Sequence, residues 1–112
     1  MINLYELNAS KTILSNDGIK QCINIKNLYI ANNKNITYLN HLTNLHTLYA
    51  PYTNLNDESI KNCINIEILN MVGNKNINCL NHLQKLREIY AYFTHLNYDG
   101  LYDCINIKTK IL

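Results

Sequence analysis

The sequence predicts an α/β solenoid: a right-handed stack of short coils, each adding one short strand to a parallel sheet on a concave face and a helical turn or loop on the convex face. Three observations carry this. Cys22, Cys63 and Cys104 stand 41 residues apart in the words QCINIKNLYI, NCINIEILNM and DCINIKTKIL. Residues 14–54 laid on 55–95 without a gap give 20 identities in 41 positions. Inside each such unit the apolar spacing repeats once more, so the period is alternately 21 and 20 residues, within the range at which repeats stack into solenoids.

The strands come first in each coil. Leu4, Leu7, Ala9, Thr12 and Leu14 set a frame that recurs as Ile25, Leu28, Ile30, Asn33, Ile36, then from Leu45, from Ile66 and from Leu86, with a sixth unit beginning at Ile107. In Leu28-Tyr29-Ile30 the outer two side chains of an extended chain point one way and the middle one the other. A single strand of this kind cannot bury its apolar side, whereas a stack of parallel neighbours buries a continuous row. At the ninth place Asn33 and Asn74 suit hydrogen bonding to the turn and the next coil. Thr12, Thr53 and Thr94 replace it in alternate coils with a shorter reach, which predicts that half of the ladder is weaker. The chain then returns through stretches such as Asn16 to Cys22, where a capping residue precedes helix-like apolar spacing. Matching stretches begin at Asp57 and Asp99, and the other coils turn inward through Leu39 and Leu42, or Leu80 and Leu83. The whole chain, 1–112, reads as one domain of about five units plus a partial sixth.

Apolar residues at the first, fourth and sixth places with Asn at the ninth resemble the leucine-rich repeat family, and the resemblance covers essentially the whole chain. Units headed by a Cys, such as LSNDGIKQCINIKNLYI, are similar to the cysteine-containing repeats of F-box substrate receptors. YLNHLTNLHTLYA is similar to a shorter cytosolic or internalin-like class. The resemblance implies the solenoid fold and, through its Cys-headed units, the option of presenting substrates to a ubiquitin ligase; no F-box precedes the repeats, so that role would need a separate adaptor.

Composition narrows the function. Net charge is +2, from ten Lys plus Arg against eight Asp plus Glu without a run of either sign. That argues against a dedicated nucleic-acid or membrane-surface protein. MINLYELNASKT has no basic flank leading into an apolar stretch, and no segment approaches a membrane span, so a cytoplasmic, non-secreted protein is expected. The 21 Asn residues fit an AT-rich coding sequence and make chance sequons, Asn8-Ala9-Ser10 and Asn35-Ile36-Thr37, unsurprising.

Candidate chemistry is sparse. The three repeat cysteines are two coils apart, roughly 10 Å at the usual strand spacing, beyond disulfide or shared metal reach. They read as buried packing, while Cys79, whose counterpart is Tyr38, breaks the pattern and is expected to be partly exposed. His41 and His82 recur in LNHL, also two coils apart, and read as surface turn residues. Neither they nor His46 and His95 have a ligand-spaced partner. With no phosphate loop, no nucleophile elbow and no close carboxylate pair, a non-enzyme without metal or cofactor is expected.

The concave face carries the information. Its positions include Tyr5, Lys26, Tyr29, His46, Thr47, Tyr49, Tyr52, Glu67, Asn70, Arg87, Glu88, Tyr90, Tyr92 and Phe93, and seven of the ten aromatic residues lie on it. Tyr supplies area at low rotamer cost together with a polar tip, as in interaction hot spots. Tyr is also a good strand residue that stacks across strands. Between the two 41-residue units nine of ten concave positions differ, the exception being Tyr49 and Tyr90, while 19 of the other 31 are identical. The reading is a protein-protein interaction module that binds a protein partner through Tyr29, Tyr49, Tyr52, Arg87, Tyr90, Tyr92 and Phe93. The chain also ends on apolar Ile111-Leu112 with neither end resembling a polar cap, which predicts homo-oligomerisation through an end, or a purely structural self-assembling role.

Overall fold

The computed structural model describes residues 3–112, leaving Met1 and Ile2 outside. Six three-residue strands, β1 (Glu6–Asn8), β2 (Asn27–Tyr29), β3 (Thr47–Tyr49), β4 (Ile68–Asn70), β5 (Glu88–Tyr90) and β6 (Thr109–Ile111), form one parallel sheet in chain order. This is the right-handed α/β solenoid that the repeats predict. It is 39 Å long and 23 × 20 Å across. The register aligns Leu7, Leu28, Leu48, Leu69 and Ile89 as an inward row, and four of the five are fully buried. Ile25, Ile36, Leu39, Leu42 and their repeats complete one continuous apolar core. The sixth coil departs from the frame: Lys110 takes the inward place opposite Ile89, and its ammonium lies 4.5 Å from the centroid of the Tyr98 ring, a cation over an aromatic face.

The helical turns fall where the spacing predicts them: α1 (Asn16–Ile19) and 3₁₀ turns at Asp57–Ile60 and Asp99–Leu101. The second has a reciprocal capping box between Asn56 and Ser59, and at the third Asn97 Oδ1 accepts from Gly100 N–H at 3.2 Å. Asn16 and Asp57 do not cap their own turns. Their Oδ1 atoms accept from Thr37 and Tyr38 N–H, and from Asn78 and Cys79 N–H, on the following coil, because the backbone there would otherwise be unpaired against its neighbour.

Those bonds belong to one of two kinds of junction. Where a Thr-bearing coil meets an Asn-bearing one, Asn33 Nδ2 donates back to Ala9 O at 3.3 Å and Leu14 O at 3.1 Å. Asn74 Nδ2 likewise donates to Thr53 Oγ1 at 2.7 Å, while its Oδ1 accepts from Thr53 N at 2.8 Å. His41 and His82, read from the sequence as surface turn residues, are half-buried and donate from Nε2 to Ile19 O and Ile60 O across the same junctions. At the other kind of junction the Thr53 and Thr94 hydroxyls donate within their own coils, to Ala50 O and Ala91 O, so the ladder is interrupted there. Asn40 and Asn81 take over, each donating to one backbone carbonyl and accepting one backbone N–H of the next coil. The buried thiols of Cys63 and Cys104 add donations to Leu39 O and Leu80 O, both at 3.1 Å. Two chemically different junctions alternating along the stack account for a sequence period of 41 rather than 20.

Candidate functional site: the open face of the sheet

Each coil crosses the open face with the same register, so the face is a set of rows. The row at strand entry runs Lys26, His46, Glu67, Arg87, Lys108, tied together because each backbone N–H after Lys26 donates to the preceding member's carbonyl at 2.8–2.9 Å. The row at strand exit runs Asn8, Tyr29, Tyr49, Asn70, Tyr90, Ile111. Beyond it the chain turns at Lys11, Asn32, Tyr52, Gly73 and Phe93, one residue per coil, all with positive φ between 56° and 79°. The left-handed geometry directs each of the first four N–H groups at a carbonyl of the next coil: Ala31, Pro51, Val72 and Tyr92.

Asn and Gly take that conformation readily. For a bulky residue it costs about 1–2 kcal/mol. Tyr52 and Phe93 nevertheless occupy it, with 44% and 66% of their surface exposed, so the core gains little from them in return. Tyr52 lies over Gly73, where any Cβ would collide with its ring.

Asn70 interrupts the tyrosine row. Tyr29 and Tyr49 are in contact, ring centroids 6.3 Å apart, but Tyr49 and Tyr90 are two strands apart, about 9.6 Å at the usual spacing. The shorter side chain between them opens an apolar depression of about 260 Å³ lined by Tyr29, Thr47, Tyr49, Ile68, Asn70 and Tyr90. Tyr90 is braced by donating its hydroxyl to Glu88 Oε1 at 3.0 Å. That bond, then burial and the carboxylate charge, hold the phenol above its ordinary pKa.

Of the residues singled out from the sequence, the structure brings Tyr29, Tyr49 and Tyr90 together around the depression. It sets Tyr92 beside Phe93, centroids 6.2 Å apart, at the exit rim with Tyr52. Arg87 lies elsewhere, three residues before Tyr90 at the entry edge. Its Nε donates to Glu67 Oε1 and its Nη1 to Glu88 Oε2, both at 3.1 Å. The Arg87 bond, followed by the charges of His46 and Arg87, lowers the Glu67 pKa. His46 Nε2 faces Glu67 at 3.5 Å while Nδ1 meets the Thr47 hydroxyl at 2.9 Å.

Sequence reasoning placed these residues on one face and missed three things. The signal for the Arg87 network was a Glu and an Arg, Glu67 and Arg87, at matching places of adjacent coils. The left-handed row announces itself at Asn32 and Gly73. The depression is marked by one Asn in a row of Tyr. Among the described residues no group of three or more His, Cys, Asp or Glu side chains is arranged to hold a metal, and no helix is long and apolar enough to cross a membrane.

No protein-family model matches the chain, and no curated protein matches it. Among solved structures, an internalin from Listeria monocytogenes superposes with a TM-score of 0.67 at 19% identity, over 95% of this chain and 40% of its own. The chain thus spans less than half the length of that neighbour, and the likeness is one of fold.

Proposed function

We propose that this leucine-rich-repeat solenoid is a cytosolic, non-enzymatic protein-binding module, one domain whose open sheet face holds a protein partner through its third to fifth coils. The observation that carries the reading is an exposed apolar surface on those coils. Tyr49 at the depression beside Tyr90, and Tyr52, Tyr92 and Phe93 at the exit rim, are 42–66% exposed. Rigid aromatic side chains of this kind, gathered about a concavity, suit a buried hot spot. The residues at the left-handed turns support the same reading: the turn recurs in each coil and serves the backbone ladder, Gly or Asn would meet it at less cost, and exposed aromatic side chains placed there point to a role outside the core. Tyr52, Arg87, Tyr92 and Phe93 are the rim of the contact, and Tyr29, Tyr49 and Tyr90 its floor and walls.

The test is a pull-down from source cells with the wild-type chain beside a Tyr49→Ser, Tyr90→Ser, Phe93→Ser variant whose circular dichroism matches. A protein retained only by the wild type supports the reading. Identical sets of retained proteins refute it. Copurification of ligase subunits with either bait would turn attention to the ubiquitin-ligase role.

A further inference from the structure

Resting on the protein-binding reading above, we infer that the partner presents an apolar side chain flanked by carboxylates, the apolar group seated between Tyr49 and Tyr90 and the carboxylates against Lys26, Lys85 and Lys108 at the strand-entry edge. The two edges of the open face differ in chemistry. The exit edge of coils three to five is aromatic and uncharged. The entry edge carries Lys26, Lys85, Arg87 and Lys108 against Glu67 and Glu88. Arg87 engages both carboxylates, which leaves one negative charge to set against three lysines. Among the described residues Lys26, Lys85 and Lys108 enter no ion pair, and Lys85 Nζ is held only by Asn65 Oδ1 at 2.8 Å.

Two hollows open along this edge, one lined by Lys26, His46, Asn65, Glu67 and Lys85, the other by Glu67, Lys85, Arg87 and Lys108, with Glu67 on the wall between them and tied to Arg87. Four cations less Glu67, Glu88 and Glu6, which heads the row that Glu88 belongs to, leave +1 on this side of the face. The edge that borders the aromatic depression from the second coil to the sixth is thus net positive, with Glu6 set apart on the first coil. A basic segment would be repelled there, and an acidic one is drawn in. From the entry row to Tyr49 and Tyr90 is three residues of strand, about 10 Å. A carboxylate and an apolar anchor three to four residues apart in an extended segment span that distance.

The experiment selects a displayed library of random 12-residue peptides on the immobilised chain, then measures selected peptides by fluorescence anisotropy. The expected peptides carry Asp or Glu within four residues of a Leu, Ile, Phe or Met. Their binding is lost in Tyr49→Ser, Tyr90→Ser. It weakens about tenfold, with a flatter salt dependence, in Lys26→Ser, Lys85→Ser, Lys108→Ser. Peptides that need Tyr49 and Tyr90 but carry no acidic residues, or bind with no salt dependence, overturn the inference and leave the module reading standing. Absence of any peptide that depends on Tyr49 and Tyr90 overturns both. Single-stranded DNA bound through the lysines and indifferent to the tyrosines would make the edge a nucleic-acid site and also overturn the inference.

Discussion

Replacing Asn74 with Ala tests whether side-chain amides hold neighbouring coils together. Asn74 is 1% exposed and exchanges two bonds with Thr53, donating to its hydroxyl and accepting its N–H, besides reaching Ala50 O at 3.2 Å. Ala50 O keeps the Thr53 hydroxyl, so that carbonyl stays paired. Two lost donations at about 1 kcal/mol each, with the Thr53 N–H stranded at about 1–3 kcal/mol, give a destabilisation of roughly 3–5 kcal/mol. For a chain of this size that is a fall of roughly 10–20 °C in Tm. Thr94→Val is the control: Thr94 bonds only Ala91 O and Leu96 N of its own coil and is half-exposed, so water can replace it and about 1 kcal/mol is expected. Urea unfolding followed by far-ultraviolet circular dichroism measures both. Equal costs for the two variants would refute the reasoning, because the junction would then owe nothing to the cross-coil amide.

Four further outcomes are expected. Gly73→Ala places a methyl group against the Tyr52 ring in a left-handed backbone; it should cost about 1–2 kcal/mol and alter the near-ultraviolet tyrosine signal, and an unchanged signal would mean that the ring does not rest there. Ellman's reagent should find one fast thiol, the exposed Cys79, and reach the rest of the four only on unfolding, since burial raises the Cys63 and Cys104 pKa values to about 12 and about 11 and leaves little thiolate; two or more fast thiols in the native chain would contradict the buried cluster. Glu67, whose pKa is lowered first by the Arg87 bond, contributes stability above the ordinary carboxylate range and loses it as pH falls through its lowered value; the urea-midpoint gap between wild type and Glu67→Gln should therefore close on acidification from pH 7, and a gap constant with pH would remove the network from the account. Ile13, Tyr102 and Ile105, each more than 80% exposed on the first and fifth coils, favour self-association, read as a mass that rises with concentration in sedimentation; a monomer at high micromolar concentration refutes it.

The fold was legible because it is written in where apolar residues recur. Leu28, Leu48 and Leu69 each need only a neighbour like themselves, so a spacing of 20 or 21 fixes the strand, its inward side and its register together. The helical turns followed from local spacing around Ile19 and Ile60. What joins the coils was not legible in the same way, because an Asn such as Asn16 has the same letter whether it caps its own turn or accepts from Thr37 on the next coil. His41 and His82 looked idle for the same reason: their acceptors lie 22 residues back. On the open face the membership of each row was readable, since it follows from register. The hollow beside Asn70, the capture of Arg87 by two glutamates and the left-handed backbone under Tyr52 and Phe93 depend on side-chain lengths and backbone angles that spacing does not encode.

The alternation of junctions sets the step by which such a stack can change length. Splicing in or excising one coil would lay a Thr-bearing coil on another, or an Asn-bearing coil on another, and leave Asn40-type and His41-type side chains facing neighbours with no group to receive them. Two adjoining coils, 41 residues, can be added or removed with every seam remade in kind. For anyone lengthening or trimming this protein by design, the building block is the pair, and a chain altered by an odd number of coils should fold less cooperatively than its even-numbered relatives on either side.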